Sequence, residues 1–306
     1  MPKVFALGAV SDHMRARLAP HADIVDGDLG DEPVDAILMV GHTTLDADLM
    51  DRMDGLKLIS NFGVGYDTID AKGAAERGIM VSHTPNVLNE EVATTTMLLM
   101  LAGYRQLLRD DAYVRAGRWE AEGNAPLTRS ADNRKVGILG LGRIGEAIAQ
   151  KMQAFNADIS YHSRSPKDVD YRYYDNLVDM ARDVEVLVVI TPGGAATRHM
   201  VNAEVLEALG PDGMLINVAR GTVVDEAALI DALQSGKLGS AGLDVFENEP
   251  HVPEALRLMD NVVLLPHVGS GTIETRQAMA DLAVDNVISF FESGKAITPV
   301  PECQDL

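Results

Sequence analysis

One stretch limits the possible folds of this chain more than any other. Residues 135–150 read Lys-Val-Gly-Ile-Leu-Gly-Leu-Gly-Arg-Ile-Gly-Glu-Ala-Ile-Ala-Gln, an apolar strand that passes through Gly140, Gly142 and Gly145 into a helix. The pattern G-x-G-x-x-G alone is weak, because a chain with 27 glycines can match it by chance. Between a strand and a helix it acquires a physical meaning. Gly140 allows a tight turn, Gly142 lets the backbone approach a pyrophosphate, and Gly145 lets helix and strand pack closely. The N–H groups around Arg143 and Ile144, at the start of the helix, then face the anion. The spacing predicts a dinucleotide site.

The rest of the chain repeats the same alternation of short apolar strand, loop and amphipathic helix. Strands are expected near 4–8, 22–25, 36–40, 56–60 and 80–83, and then near 135–139, 158–162, 186–190, 214–217, 241–245 and 262–265. Helical patterns cover 12–18 and 46–53. Several strands are continuous β-branched runs without polar alternation, as in a parallel sheet covered on both faces. Strands and helices in alternation define the α/β class. A length of 306 residues predicts about two domains at roughly 150 residues each.

Two longer helical patterns fall where a domain boundary is expected. One covers 90–108, with Asn89 as its N-cap and Glu90 and Glu91 at the positive end of its dipole. The other covers 272–292, closed by Gly294 and stopped by Pro299 and Pro301. The boundaries are placed accordingly: residues 1–98 with 286–306 form one domain, and 99–285 form the other. Residues 113–133 lack periodicity and carry the only tryptophan, Trp119. They read equally as a surface loop or as an arm that packs on a second subunit.

Charge narrows the partners. With 26 Lys and Arg against 46 Asp and Glu, the net charge is −20. So acidic a surface repels nucleic acid and anionic membrane, and neither is expected as a partner. Any phosphate or carboxylate must be held by a few local cations and backbone N–H groups. The apolar runs at 97–102 and 186–190 are far too short to span a bilayer. The N-terminus reads as a first strand, not as a signal peptide. The one cysteine, Cys303, excludes an intramolecular disulfide and suits a reducing cytoplasm.

The strand after the glycine loop normally ends in an acid that accepts from the adenosine ribose hydroxyls. Here it ends Ser163-Arg164-Ser165, with Lys167 close behind. A guanidinium and two hydroxyls suit a 2′-phosphate, so NADP is expected over NAD.

Three further polar residues lie where strands end: Arg220 after 214–219, Glu249 after the strand ending at Val245, and His267 after 262–265. In an open α/β sheet, ligands bind beyond the carboxyl ends of the strands. Hydride delivery to a ketone carbon leaves charge on oxygen, and a histidine can protonate it near neutral pH. A carboxylate on the other ring nitrogen fixes the tautomer. An arginine binds a substrate carboxylate through two parallel hydrogen bonds. Taken singly, each has a structural reading, as a core histidine, a solvated acid and an ion-paired arginine. At three strand ends of one nucleotide-binding sheet, they read as hydride-transfer chemistry.

The chain resembles the D-isomer-specific 2-hydroxyacid dehydrogenase family from end to end. The motifs are Asn-Phe-Gly-Val-Gly-Tyr-Asp (61–67), Gly-Leu-Gly-Arg-Ile-Gly (140–145), Asn-Val-Ala-Arg-Gly (217–221), Gly-Leu-Asp-Val-Phe-Glu-Asn-Glu-Pro (242–250) and Leu-Pro-His-Val-Gly-Ser (265–270). The Ser-Arg-Ser tip is most similar to NADPH-dependent glyoxylate/hydroxypyruvate reductases and hydroxyphenylpyruvate reductases. The resemblance implies a Rossmann-type nucleotide domain inserted into a flavodoxin-like substrate domain, both doubly wound parallel-sheet α/β folds. A cleft between them would close on substrate, and a homodimer would form through the nucleotide domain. It implies Arg220, Glu249 and His267 as the catalytic three, with substrate held by the backbone of Val64 and Gly65, by Arg220 and by His267. It further implies cofactor contacts at Thr96, Thr191, Pro192, Thr197, Val218, Asp244 and Gly269, with Asp244 accepting from the nicotinamide carboxamide. No metal is expected.

The implied activity is NADPH-dependent reduction of a small 2-oxo acid, glyoxylate or hydroxypyruvate, to the D-2-hydroxy acid. The alternatives are a hydroxyphenylpyruvate reductase, another D-2-hydroxyacid dehydrogenase, or a dinucleotide-sensing corepressor without turnover. Residues 192–197, Pro-Gly-Gly-Ala-Ala-Thr, depart from the family's Pro-Leu-Thr-Pro-Glu-Thr. Two glycines and a lost proline predict a less rigid pyrophosphate loop.

Overall fold

Alternating strands and helices do form two parallel sheets. The structure is a computed structural model and describes residues 1–28 and 33–306. It divides into two compact units, 1–88 with 272–306, and 89–271. These borders lie at 88/89 and 271/272, earlier than the expected 98/99 and 285/286. Each of the two long helices is carried whole by one unit.

In the first unit the chain runs β1 (Lys3–Gly8), α1 (Asp12–Leu18), β2 (Asp23–Val25), β3 (Ala36–Val40), α2 (Ala47–Asp51), β4 (Leu58–Asn61), α3 (Ala71–Glu76) and β5 (Met80–Ser82). The second unit holds α4 (Asn89–Tyr104), α5 (Leu107–Arg115), α6 (Arg118–Glu122), β6 (Lys135–Leu139), α7 (Arg143–Gln153), β7 (Asp158–His162), β8 (Arg172–Tyr174), α8 (Leu177–Asp183), β9 (Val186–Val189) and α9 (Ala203–Leu209). It continues through β10 (Met214–Asn217), α10 (Glu226–Gln234), β11 (Ser240–Leu243), α11 (Glu254–Arg257) and β12 (Val262–Leu264). The chain then returns to the first unit as α12 (Ile273–Ser293).

The sheet of the first unit has the order β2-β1-β3-β4-β5, and every pair is parallel. This is the flavodoxin-like order. The sheet of the second unit has the order β12-β11-β10-β9-β6-β7-β8, again parallel throughout. Strand order reverses on either side of the β6–β9 pair, as in a dinucleotide-binding fold. Val186 to Val189 are fully buried, as a central strand covered on both faces requires. Each such side chain contributes about 1.5–3 kcal/mol by leaving water.

Two expectations needed correction. The helical pattern at 90–108 is broken: α4 stops at Tyr104, and Gln106 adopts a left-handed φ of 50° before α5 begins. The Gln106 side-chain amide and its backbone N–H both donate to the Gly103 carbonyl at the end of α4, at 2.9 and 3.2 Å. Residues 113–133 include the end of α5 and the short helix α6, which carries Trp119. The edge strand β8 was not anticipated. Among the described residues no helix is long and apolar enough to cross a membrane.

Candidate active site

The glycine turn of the second unit joins β6 to α7. Gly140 has φ 103°, and a Cβ there would lie 2.9 Å from the Thr191 nitrogen. The turn thus packs directly on the loop that follows β9. A Cβ on Gly145 would lie 2.3 Å from the Gly140 carbonyl oxygen, so only glycine lets α7 approach its own turn. Gly142 behaves differently. It is the extended N-cap of α7 (φ −101°, ψ −166°), with no side-chain cap and nothing within 4 Å of an added Cβ. The caps of α8, α9 and α10 are the side chains of Asn176, Asn202 and Asp225. An uncapped helix start beside open space fits a pyrophosphate, and Arg143 and Ile144 supply its first turn.

The next loop caps β7. Ser163 donates its hydroxyl to the Ser165 carbonyl at 2.7 Å, and Tyr173 donates to the Ser163 carbonyl at 3.2 Å. Lys167 N–H donates to the Tyr161 hydroxyl at 2.7 Å. The tip is therefore folded by its own serine and two tyrosines. The exposed Arg164 has no hydrogen-bond or ion-pair partner among the described residues. Beside the turn, Thr197 donates to the carbonyls of Pro192 (2.7 Å) and Gly194 (3.2 Å), closing the loop after β9 on itself. Gly194, at φ 119°, holds a conformation that favours glycine. The loop is thus tied at both ends of its departure from the family pattern. Thr191 borders Gly140. The buried Thr96 donates back to Val92 in α4, and buried Val218 donates its N–H to Val189.

Beyond β10, β11 and β12 the polar residues converge. His267 Nδ1 lies 2.7 Å from Glu249 Oε2. The other carboxylate oxygen of Glu249 accepts from Phe246 N–H at 3.0 Å. That leaves the carboxylate to accept from Nδ1–H, and fixes the ring tautomer. His267 has φ 54°, a conformation that costs a non-glycine residue about 1–3 kcal/mol. Asp244 holds it there: its carbonyl accepts from His267 N–H at 2.8 Å. Its carboxylate oxygens accept from Val268 N–H (2.7 Å) and Gly269 N–H (2.8 Å). Burial pushes the Asp244 carboxyl above its ordinary value, and the two N–H bonds offset part of that. From α4, Thr95 donates to the Gly269 carbonyl at 3.3 Å.

Arg220 follows β10. A Cβ on the next residue, Gly221, would lie 1.9 Å from the Phe246 carbonyl carbon. The backbone beside Arg220 is therefore pressed against the loop that carries Glu249. Buried Asn217 shapes the turn, accepting from Ala219 N–H (3.1 Å) and donating to the Arg220 carbonyl (3.0 Å). The guanidinium donates to the Ala219 carbonyl at 2.8 Å. Glu247 accepts from Arg198 at 2.7 Å, which clips the loop after β9 to the loop after β11.

Val64 and Gly65 belong to the first unit, in the loop after β4. Asn61 Nδ2 donates to the carbonyls of Gly63 (3.3 Å) and Gly65 (3.0 Å). His83 Nδ1 donates to the Val64 carbonyl at 2.9 Å. The N–H groups of Val64 and Gly65 meet no acceptor among the described residues. Asn61, His83, Thr95 and Asn217 were not singled out from the sequence. The available signal was a polar residue ending an apolar strand, in Asn61 and Asn217.

The glycine turn and the loops after β9, β10, β11 and β12 fall within residues 97–269. Those residues match the family model for the D-isomer specific 2-hydroxyacid dehydrogenase NAD binding domain. The chain is 51% identical to the glyoxylate/hydroxypyruvate reductase A of Arabidopsis thaliana, over 83% of this chain and 82% of that one. It is 47% identical to the hydroxyphenylpyruvate reductase of Plectranthus scutellarioides, over 88% and 86%. The NADPH-dependent glyoxylate/hydroxypyruvate reductase of Sinorhizobium meliloti, solved with NADP and malonate, superposes with a TM-score of 0.94 at 47% identity, covering 99% of this chain and 97% of that one.

Proposed function

Because the chain belongs to the D-isomer-specific 2-hydroxyacid dehydrogenase family, we propose that it reduces a small 2-oxo acid to the D-2-hydroxy acid with NADPH. Glyoxylate and hydroxypyruvate are the first substrates to expect, given the relatives in Arabidopsis thaliana and Sinorhizobium meliloti. The observation that carries the reading is the 2.7 Å pair between His267 Nδ1 and Glu249. With Nδ1–H engaged by the carboxylate, Nε2 is the nitrogen that delivers a proton to the substrate oxygen, from the doubly protonated ring. NADPH, when bound, supplies the hydride.

In this reading the second unit is the nucleotide domain and the first is the substrate domain. Gly140, Gly142, Arg143, Ile144 and Gly145 hold the pyrophosphate. Arg164, with Ser163 and Ser165, holds the 2′-phosphate. Since the Ser163 hydroxyl proton is directed at Ser165, Arg164 carries most of the cofactor preference. Thr96, Thr191, Pro192, Thr197, Val218 and Gly269 flank the cofactor. Asp244 keeps lone pairs beyond the two it offers the backbone, enough to accept from the nicotinamide carboxamide. For the substrate carboxylate the reading assigns the N–H groups of Val64 and Gly65, and Arg220.

We also propose a cytoplasmic homodimer formed through the nucleotide domain. Leu107, Leu108, Val114, Trp119 and Leu127, all in one stretch of the second unit, are exposed apolar residues. Exposed apolar residues along one stretch support an interface there.

NADPH oxidation measured over a panel of 2-oxo acids, and repeated with NADH, tests the function. Turnover with glyoxylate or hydroxypyruvate is expected, with NADPH favoured. A strong preference for hydroxyphenylpyruvate would move the chain to the second reading, which the Plectranthus relative favours. Tight NADPH binding without turnover on any 2-oxo acid would contradict both.

A further inference from the structure

Three successive carbonyls of the loop after β4 each accept a hydrogen bond. The Gly63 carbonyl accepts from Asn61 Nδ2 and from Thr84 N–H at 2.8 Å. The Val64 carbonyl accepts from His83, and the Gly65 carbonyl from Asn61. These peptides are trans, so each N–H points away from the carbonyl of its own peptide. The N–H groups concerned are those of Val64, Gly65 and Tyr66, and none meets an acceptor among the described residues. Successive backbone N–H groups without a protein acceptor can hold an anion.

His83 is built into this arrangement from all sides. It is 7% exposed. Its backbone N–H donates to the Thr298 carbonyl at 3.2 Å, and its carbonyl accepts from the Thr298 hydroxyl at 2.6 Å. The edge of Tyr66 meets its ring, with centroids 5.6 Å apart and planes at 89°. Tyr66 is itself held by a hydrogen bond to Glu302 at 3.1 Å. A carbonyl can only accept, so His83 Nδ1 carries the proton in this bond. Donation into the Val64 carbonyl polarises the Val64–Gly65 peptide and makes the Gly65 N–H a stronger donor.

We propose that His83 is a positioning residue for the substrate, which aims and strengthens the Gly65 N–H toward the substrate carboxylate through the Val64 carbonyl. This rests on the reading of Val64 and Gly65 as the carboxylate cradle. The side chain touches no reacting atom in this role, so it should affect substrate affinity and not the chemical step.

Two variants and two measurements test it. His83→Phe keeps a ring and loses the donor, whereas His83→Asn keeps an N–H donor near the place of Nδ1. Binding of oxamate, a 2-oxo-acid isostere, to the NADP-loaded protein is measured by calorimetry, alongside glyoxylate kinetics. Weakening one hydrogen bond to an ionised group predicts about tenfold weaker oxamate binding in His83→Phe and a matching rise in KM. The kcat and the NADPH affinity should stay near the wild-type values, and His83→Asn should restore oxamate binding and KM. Unchanged oxamate binding in His83→Phe overturns the inference and leaves the proposed function standing. So does a loss in His83→Asn as large as in His83→Phe. A wild-type protein that binds NADP but neither oxamate nor glyoxylate would overturn the carboxylate reading itself, and this inference with it.

Discussion

The loop after β4 in the first unit and the loops after β10, β11 and β12 in the second use the same materials in opposite order. In the first, side chains stand behind and the backbone is presented. Asn61 and His83 hold three carbonyls, and the N–H groups of residues 64–66 meet no acceptor among the described residues. In the second, the supporting polar groups hold backbone and side chains are presented. Asn217 folds the turn before Arg220, and Asp244 holds Val268 and Gly269 beside His267. The difference fits the roles proposed for the two loops. An anion held but not transformed needs only donors in fixed places, which peptides supply. A proton that must leave and return needs a titrating ring, and only a side chain supplies one. In both units a buried polar residue at or next to the carboxyl end of a strand organises the loop: Asn61, Asn217 and Asp244 are all buried.

Removing a presented side chain should be the most damaging change. His267→Ala should lower kcat by about 10²–10⁴-fold, the usual worth of general acid catalysis. NADPH binding, followed by fluorescence titration, should survive, because the glycine turn is made elsewhere. A variant with wild-type kcat would remove His267 from the chemistry. Arg220→Ala should raise KM and lower kcat together, by about 10²-fold in kcat/KM, since it positions the substrate where charge develops. A rise in KM alone would confine Arg220 to binding.

Arg164→Ala should act on cofactor choice only. One charge-assisted contact contributes roughly 1.5–3 kcal/mol, so the preference for NADPH over NADH should fall about ten- to a hundredfold. NADH turnover should hardly change. A variant that keeps its preference would transfer the 2′-phosphate to other groups.

The smallest effect is expected behind the presented groups. Asp244→Asn should lower kcat by about tenfold, because Val268 N–H and Gly269 N–H each bond a different carboxylate oxygen and the amide puts an NH2 donor against one of them. It should also change the acid dependence of stability. Burial raises the folded-state value of the Asp244 carboxyl above that of the unfolded chain. The group therefore contributes stability below the unfolded value, and that contribution is lost as pH rises through the folded one. Asp244→Asn should flatten this part of the melting-temperature profile. A variant with the same slope as the wild type would assign the slope to other groups.

The fold was legible where burial dictated composition. Strands such as β9 and β10 are covered on both faces, so their residues are apolar without interruption and read directly as parallel strands. β8, with the sequence Arg-Tyr-Tyr, offers no such run. The break between α4 and α5 was invisible because Gln106 takes a left-handed conformation without being glycine. In the candidate site, His267, Glu249 and Arg220 were legible as polar residues that follow apolar strands of one sheet. Their supports were not. Asn61, His83 and Asn217 act on peptide groups whose direction depends on how each loop folds back, which no spacing along the chain records.

The proposed division between a backbone cradle and a side-chain acid is tested most directly by deleting the anion that the cradle would hold. Glycolaldehyde has the carbonyl of glyoxylate and lacks its carboxylate. Assayed at equal concentration with NADPH, glyoxylate should be reduced with a kcat/KM at least about 10²-fold higher, since several hydrogen bonds to an ionised group are lost together. Comparable turnover of the two would contradict the cradle, and with it the roles assigned to Val64, Gly65 and Arg220.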